Sequence, residues 1–170
     1  MKIIIPILLF ATVLFSCKDA IEELSTIGTF TSTITGNVEK QFDGQAAFVH
    51  IINESTTPNG SLLTIALSHV TDQSEIISLS ISNITTDGIA AGTYKVDILD
   101  NKGHVFFPFY ETEALTYNLP VPSSVNTITL SSVADFRIKG EFAINVFDVV
   151  SNKTVKIVGT FDAAGKTETK

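Results

Sequence analysis

The sequence predicts an all-β domain, and three observations support that prediction. From Gly28 onward, apolar side chains recur with a period of two, and no convincing window has the 3.6-residue period of an amphipathic helix. The apolar runs repeat about every ten residues and are separated by turn residues. Thr, Val, Ile and Phe, which suit a half-buried pleated surface, make up most of these runs. We therefore predict an antiparallel two-sheet β-sandwich of about ten strands, with a lipocalin-like β-barrel as the alternative.

The first four predicted strands lie within residues 28–82. The first has Phe30, Ile34 and Val38 on one face. The second, residues 45–53, is apolar on both faces, which predicts a position in the interior of the sheet. Two further strands follow the turn signal at residues 58–60. Their predicted inward side chains are Leu63, Ile65 and Leu67, and then Ile77, Leu79 and Ile81.

An aromatic strand is predicted at residues 105–110, after a short strand that begins at Gly92. Pro108 has no N–H to donate to a ladder, so this strand is expected at an edge of the sheet. One phase of the alternation exposes Phe106 and Tyr110 as a recognition surface, while the neighbouring aromatic rings hold the strand to the core. The reverse phase, or a purely packing role for all four rings, is the alternative.

The chain ends with its most regular pair of strands, after a further strand at residues 127–132. The predicted inward residues of the pair are Phe136, Ile138, Gly140, Phe142, Ile144 and Val146, followed by Val155, Ile157, Gly159 and Phe161. A four-residue loop at 149–152 would place each inward phenylalanine of the hairpin opposite a glycine, so that the ring covers it. A two-residue loop would instead place Phe142 opposite Phe161.

The amino terminus has the layout of a secretory signal, with Lys2 as the sole charge before an interrupted apolar run. That run is shorter than the roughly 20 apolar residues that a membrane-spanning helix needs. Residues 14–17 place a leucine, any residue and the small Ser16 before Cys17. This pattern resembles the bacterial lipoprotein box, in which cleavage before the cysteine leaves its thiol acylated. The resemblance implies that Cys17 is the lipid attachment site and the first residue of the mature protein.

These features divide the chain into four segments. Residues 1–16 are the expected signal peptide, and residues 17–27 are the acylated cysteine and a polar, flexible tether. Residues 28–165 form the expected single β domain, and residues 166–170 form a polar tail.

The mature chain would be acidic. Without Lys2, ten basic residues face eighteen acidic ones, which gives a net charge of −8. Nucleic acid is therefore excluded as a partner class, because phosphate binding needs clustered Lys and Arg. An anionic bilayer would also repel the domain, so attachment is expected from acyl chains, of which two or more hold stably. The single cysteine leaves no disulfide within the domain, and a monomer is expected.

Several short segments together resemble a group of small uncharacterised Bacteroidetes lipoproteins. The shared features are the lipoprotein box, an early Phe-to-Gly strand at residues 30–36, Gly-Thr-Tyr at 92–94 and a closing Gly-Thr-Phe strand at 159–161. The last third of the chain also follows the carboxy-terminal pattern of that group. The resemblance implies a lipid-anchored protein of the outer membrane of a Gram-negative bacterium, and it implies no activity.

Few residues suggest a catalytic or metal-binding site. A symmetric hairpin around residues 59–60 would set His50 opposite His69, and two imidazoles can share a metal, but His104 could join them only from a different turn. Asp97 and Asp100 stand in a stretch that suits a turn better than a calcium loop, which needs alternating oxygen ligands. No Gly-x-Ser-x-Gly elbow is present. We therefore expect no enzyme, no metal and no cofactor.

The sequence thus predicts a lipid-anchored, non-catalytic binding or structural module of the cell envelope. Its expected partners are the membrane, through the acyl chains on Cys17, and a protein or glycan. Two alternatives stay open, namely a barrel that carries a small apolar ligand and a metal-dependent enzyme that uses His50 and His69.

Overall fold

A computed structural model of the chain describes residues 27–53, 60–70, 74–83, 88–96, 104–121 and 125–170. These ranges contain eleven strands and no helix, so nothing in them is a helix able to cross a membrane. The strands are β1 (Thr29–Gly36), β2 (Lys40–Asn53), β3 (Gly60–Ser68), β4 (Ile76–Asn83), β5 (Gly92–Lys95), β6 (His104–Glu111), β7 (Thr116–Tyr117), β8 (Leu119–Pro120), β9 (Thr127–Val133), β10 (Arg137–Asp148) and β11 (Lys153–Thr169).

All eleven strands belong to one open sheet. Its order is β5-β9-β10-β11-β1-β2-β3-β4-β6-β7, and β8 pairs with the end of β10. Every pairing is antiparallel except that between β11 and β2. The all-β prediction is confirmed, but in the described ranges the strands form one continuous ladder that neither divides into two sheets nor closes on itself.

The longest strand, β11, holds this sheet together by pairing with three others. Its first part lies between β10 and β1, and its last part pairs in parallel with β2. Gly28 lies where β1 enters between these two strands, and a Cβ there would meet the carbonyl oxygen of Ala46 and lie 2.5 Å from the amide nitrogen of Ala164. Residues 166–169, predicted as a tail, are therefore part of the sheet.

The inner face of the sheet carries the core, as the period of two predicts. The predicted inward residues of β3, β4 and β11 other than Gly159 are buried, as are Phe30 and Ile34 of β1 and four residues of β10. Two predicted inward residues are exposed instead. Val38 lies beyond the end of β1, where Gly36 takes a positive φ of 113°, and Phe136 precedes the first residue of β10.

The sheet curls until strands from its two ends meet through side chains. The ring of Tyr94 in β5 packs edge-on against His104 in β6, with 5.0 Å between centroids. Burial raises the pKa of the Tyr117 phenol in β7, and the carboxylate of Asp148 in β10 lies close enough for its charge to raise that pKa further. One core is thus enclosed by a single bent sheet.

The closing hairpin has the predicted four-residue loop, because β10 ends at Asp148 and β11 begins at Lys153. Phe142 pairs with Gly159, and Gly140 pairs with Phe161. A Cβ on Gly159 would lie 2.9 Å from the ring of Phe142, and one on Gly140 would lie 2.8 Å from the ring of Phe161. The prediction that each ring covers a glycine is confirmed.

Candidate functional site

The outer face of the sheet carries an open groove across β9, β10, β11, β1 and β2, lined by both hydrogen-bonding and apolar groups. Its cavity has a volume of about 390 Å³. We name it the threonine groove, after the five threonines that line it: Thr31, Thr33, Thr127, Thr129 and Thr160. The other outward-facing residues of its lining are Gln41, Glu141, Ala143 and Val158.

Strand alternation and register place these side chains in two adjacent rows. Across β9, β10, β11 and β1, the first row contains Thr129, Glu141, Thr160 and Thr31. Two residues along each strand, the second row contains Thr127, Ala143, Val158 and Thr33, and it continues to Gln41 in β2. Because neighbouring strands are about 4.8 Å apart and two residues of a strand span about 6.8 Å, the rows form a compact array.

Hydrogen bonds between the side chains orient the polar rim. The hydroxyl groups of Thr31 and Thr160 are 3.3 Å apart across β1 and β11, and Thr33 donates to the amide oxygen of Gln41 at 3.1 Å. A hydroxyl has one donor and two acceptor positions, so each of these threonines keeps capacity for a further partner. The rim can therefore both donate to and accept from a bound molecule.

The floor of the groove is short and apolar at its centre. Ala143 contributes a single methyl group, and Val158, which lies opposite Ala143 in the second row, is 46% exposed. A second cavity, of about 240 Å³, adjoins the groove through Ala143 and extends to Asn145 and Lys156. The accessible surface is thus an elongated channel along β10 and β11.

Charge is sparse in the groove, where Glu141 is the one ionisable side chain of the lining. Beyond the first row, Arg137 and Lys139 both pair with Asp162, the lysine at 3.0 Å. Their hydrogen bonds, that of Arg137 foremost, lower the pKa of the Asp162 carboxyl. These charges lie outside the groove, where two cations share one carboxylate, and the lining itself offers neutral hydrogen-bonding groups and the carboxylate of Glu141.

The alternative in which a symmetric hairpin sets His50 opposite His69 is wrong. Residues 54–59 separate β2 from β3, so His50 pairs with Leu63, and His69 follows the end of β3 in an exposed position. His50 is buried, accepts the amide N–H of Ile89 at Nε2 over 3.3 Å, and has a pKa lowered by desolvation. Among the described residues, no three His, Cys, Asp or Glu side chains are grouped to hold a metal.

The predicted exposure of Phe106 and Tyr110 is also wrong, since both are 0% exposed. The register with β4 sets the phase of β6: Phe106 lies opposite Ile81 and Tyr110 opposite Ile77, both core residues. Tyr110 donates its hydroxyl to Glu75 and stacks on Tyr117, with 5.3 Å between ring centroids. The reverse phase holds, and Phe107 is 56% exposed on the outer face.

Pro108 lies at an edge, as predicted. Within the described residues, β6 pairs with β4 along its length, but on its other side only with the short β7, at Tyr110 and Glu111. Pro108 is outside that short pairing, so its missing N–H interrupts no ladder on the open side.

Cys17 and the predicted turn at residues 100–103 lie outside the described residues.

No protein-family model, curated protein or solved structure matches this chain. Its function must therefore be inferred from its own residues. The threonine groove is not among the sites predicted from the sequence, although one signal was present: β1 and β9 alternate threonine with buried residues at four of the groove positions.

Proposed function

We propose that the chain is a lipid-anchored protein of the cell envelope that acts by binding a partner and catalyses no reaction. The box at residues 14–17 supports the anchor, since acylation of Cys17 would hold the domain on a membrane that its negative charge cannot attract. The location proposed is the outer membrane, with the β domain held away from the bilayer by the tether.

The threonine groove is the observation that supports binding. Its volume of about 390 Å³ lies within the range of roughly 300–1,000 Å³ that ligand sites occupy. Its lining supplies hydrogen-bonding groups, namely threonine hydroxyls, the amide of Gln41 and the carboxylate of Glu141. We further propose that the curled sheet acts as a sandwich, with its two halves facing each other across the core. Leu63, Ile65 and Leu79 are fully buried there, which favours an outer ligand site over an internal one.

Filling the groove tests the proposal. Ala143→Tyr places a neutral ring on the groove floor, whereas Ala66→Tyr makes the same change at an exposed outward position of β3, outside the groove. The acylated proteins are placed in supported bilayers, and retention of components from a soluble envelope extract is measured as adsorbed mass. We expect Ala143→Tyr to abolish retention and Ala66→Tyr to preserve it. Equal retention by the two variants would refute the groove as the binding face.

A further inference from the structure

We propose that the threonine groove binds a neutral carbohydrate, an inference that rests on the binding function proposed above and names its ligand class. The groove combines hydrogen-bonding side chains with a larger apolar area, and its lining contains one ionisable group. Together these properties match a sugar better than they match a phosphate-bearing, acidic or purely apolar molecule.

The charge distribution disfavours an anionic ligand. The whole chain carries a formal charge of −7, and the lining contains Glu141 but no Lys, Arg or His. Anions are held by clustered basic side chains or by exposed backbone amides. In the groove most strand amides are committed to the ladder on both sides, because β10, β11 and β1 each lie between two neighbours. The groove itself thus offers an anion no cationic side chain, and Lys156 is a single cation in the adjoining cavity rather than part of a basic cluster, so a neutral ligand is favoured.

The hydrogen-bonding groups complement a polyol. A sugar hydroxyl both donates and accepts, and so do the hydroxyls of Thr31, Thr129 and Thr160 and the amide of Gln41. Glu141 lies between Thr129 and Thr160 in the first row, so its carboxylate can accept from two hydroxyls of one ring. An extended peptide that binds by strand addition would instead need an open strand edge, and the groove lies on a sheet face.

The floor and the length of the groove also suit a carbohydrate ligand. Ala143 and the half-exposed Val158 can contact the C–H face of a ring, while the first row binds its edge. The adjoining cavity of about 240 Å³ continues from Ala143 along the same strands. A linear ligand with more than one ring is therefore favoured over a monosaccharide.

The test is calorimetric titration of the acylated full-length mature protein in a zwitterionic detergent, whose headgroup is not a sugar. The neutral probes are cellohexaose, maltohexaose and mannohexaose, and hexagalacturonate is the acidic comparison. Thr129→Val removes a hydroxyl from the first row, and Glu141→Gln replaces one carboxylate acceptor oxygen with an NH₂ donor. Thr64→Val is the matched control, because Thr64 is also a part-buried, outward threonine and pairs with Ser80 at 3.1 Å outside the groove.

We expect at least one neutral probe to bind saturably and hexagalacturonate not to bind. Loss of one ligand hydrogen bond should weaken binding about tenfold in Thr129→Val and Glu141→Gln, and Thr64→Val should bind like the wild type. The inference is overturned if no neutral probe saturates, if the acidic probe binds as tightly, or if the control weakens binding equally. Should Ala143→Tyr still abolish retention of envelope material, only the ligand class fails and the binding function stands.

Discussion

Phe142 shows how single residues set the packing of this sheet. Its ring is 2% exposed and covers Gly159, whose missing side chain makes room for it. Phe142→Ala should leave a cavity in the core and lower the free energy of unfolding by about 3–5 kcal/mol. Urea denaturation of the purified protein measures the change.

Phe107→Ala provides the control for that substitution. It removes the same ring from an outward position that is 56% exposed, so we expect a change within about 0.5 kcal/mol. If both substitutions cost the same, Phe142 does not occupy the packed position described for it.

Individual residues also show what alternation can and cannot predict. In β4, Ile77, Leu79 and Ile81 alternate with serines, so one face alone can be buried and its prediction was correct. In β6 both phases present aromatic rings, and the choice depends on the register with β4, which lies far away in the sequence. The phase of Phe106 and Tyr110 was therefore not determined by local pattern.

At the level of elements, the four-residue loop of the closing hairpin could be predicted because glycine and phenylalanine alternate in matching positions on its two strands. The β2–β3 hairpin carries no such marker, so the sequence left its register open. The observed register sets His50 opposite Leu63 and rules out the alternative that paired His50 with His69. The groove was missed for a related reason. Its outward threonines are visible in the sequence, but the adjacency of β9, β10, β11, β1 and β2 is not.

The last residues of β11 should contribute to stability although they are polar. Residues 164–169 pair in parallel with residues 47–52 of β2, and the amide of Lys170 donates to the carbonyl of Ile52 at 2.9 Å. Deleting residues 166–170 removes the part of this ladder that pairs with residues 49–52, together with the Thr167 side chain beside His50. We expect a clear fall in the midpoint of urea unfolding.

A double substitution, Lys166→Ser with Glu168→Ser, distinguishes the contribution of the backbone ladder to stability from that of the side chains. It removes their ion pair but keeps the backbone, and a largely solvated pair contributes little. The midpoint should therefore stay close to that of the wild type. A deletion that leaves the midpoint unchanged would mean that these residues are a free tail.

At the scale of the whole molecule, the two faces of the single sheet have different roles. Its inner face holds the core with inward side chains contributed by strands from both halves of the chain, so the fold needs no disulfide. Its outer face is free to carry the threonine groove. The chain's negative charge would not hold it on an anionic bilayer, and for that reason we propose acyl chains on Cys17 as the means of attachment.

The mass of the intact protein extracted from membranes tests this account most directly. If Cys17 is acylated after cleavage, the mass should equal that of residues 17–170 plus the lipid attached to the amino-terminal cysteine. Alkylation should find no free thiol, because the chain has a single cysteine. A protein that still carries residues 1–16, or one whose Cys17 reacts as a free thiol, would contradict the proposed lipid anchor and the envelope function that depends on it.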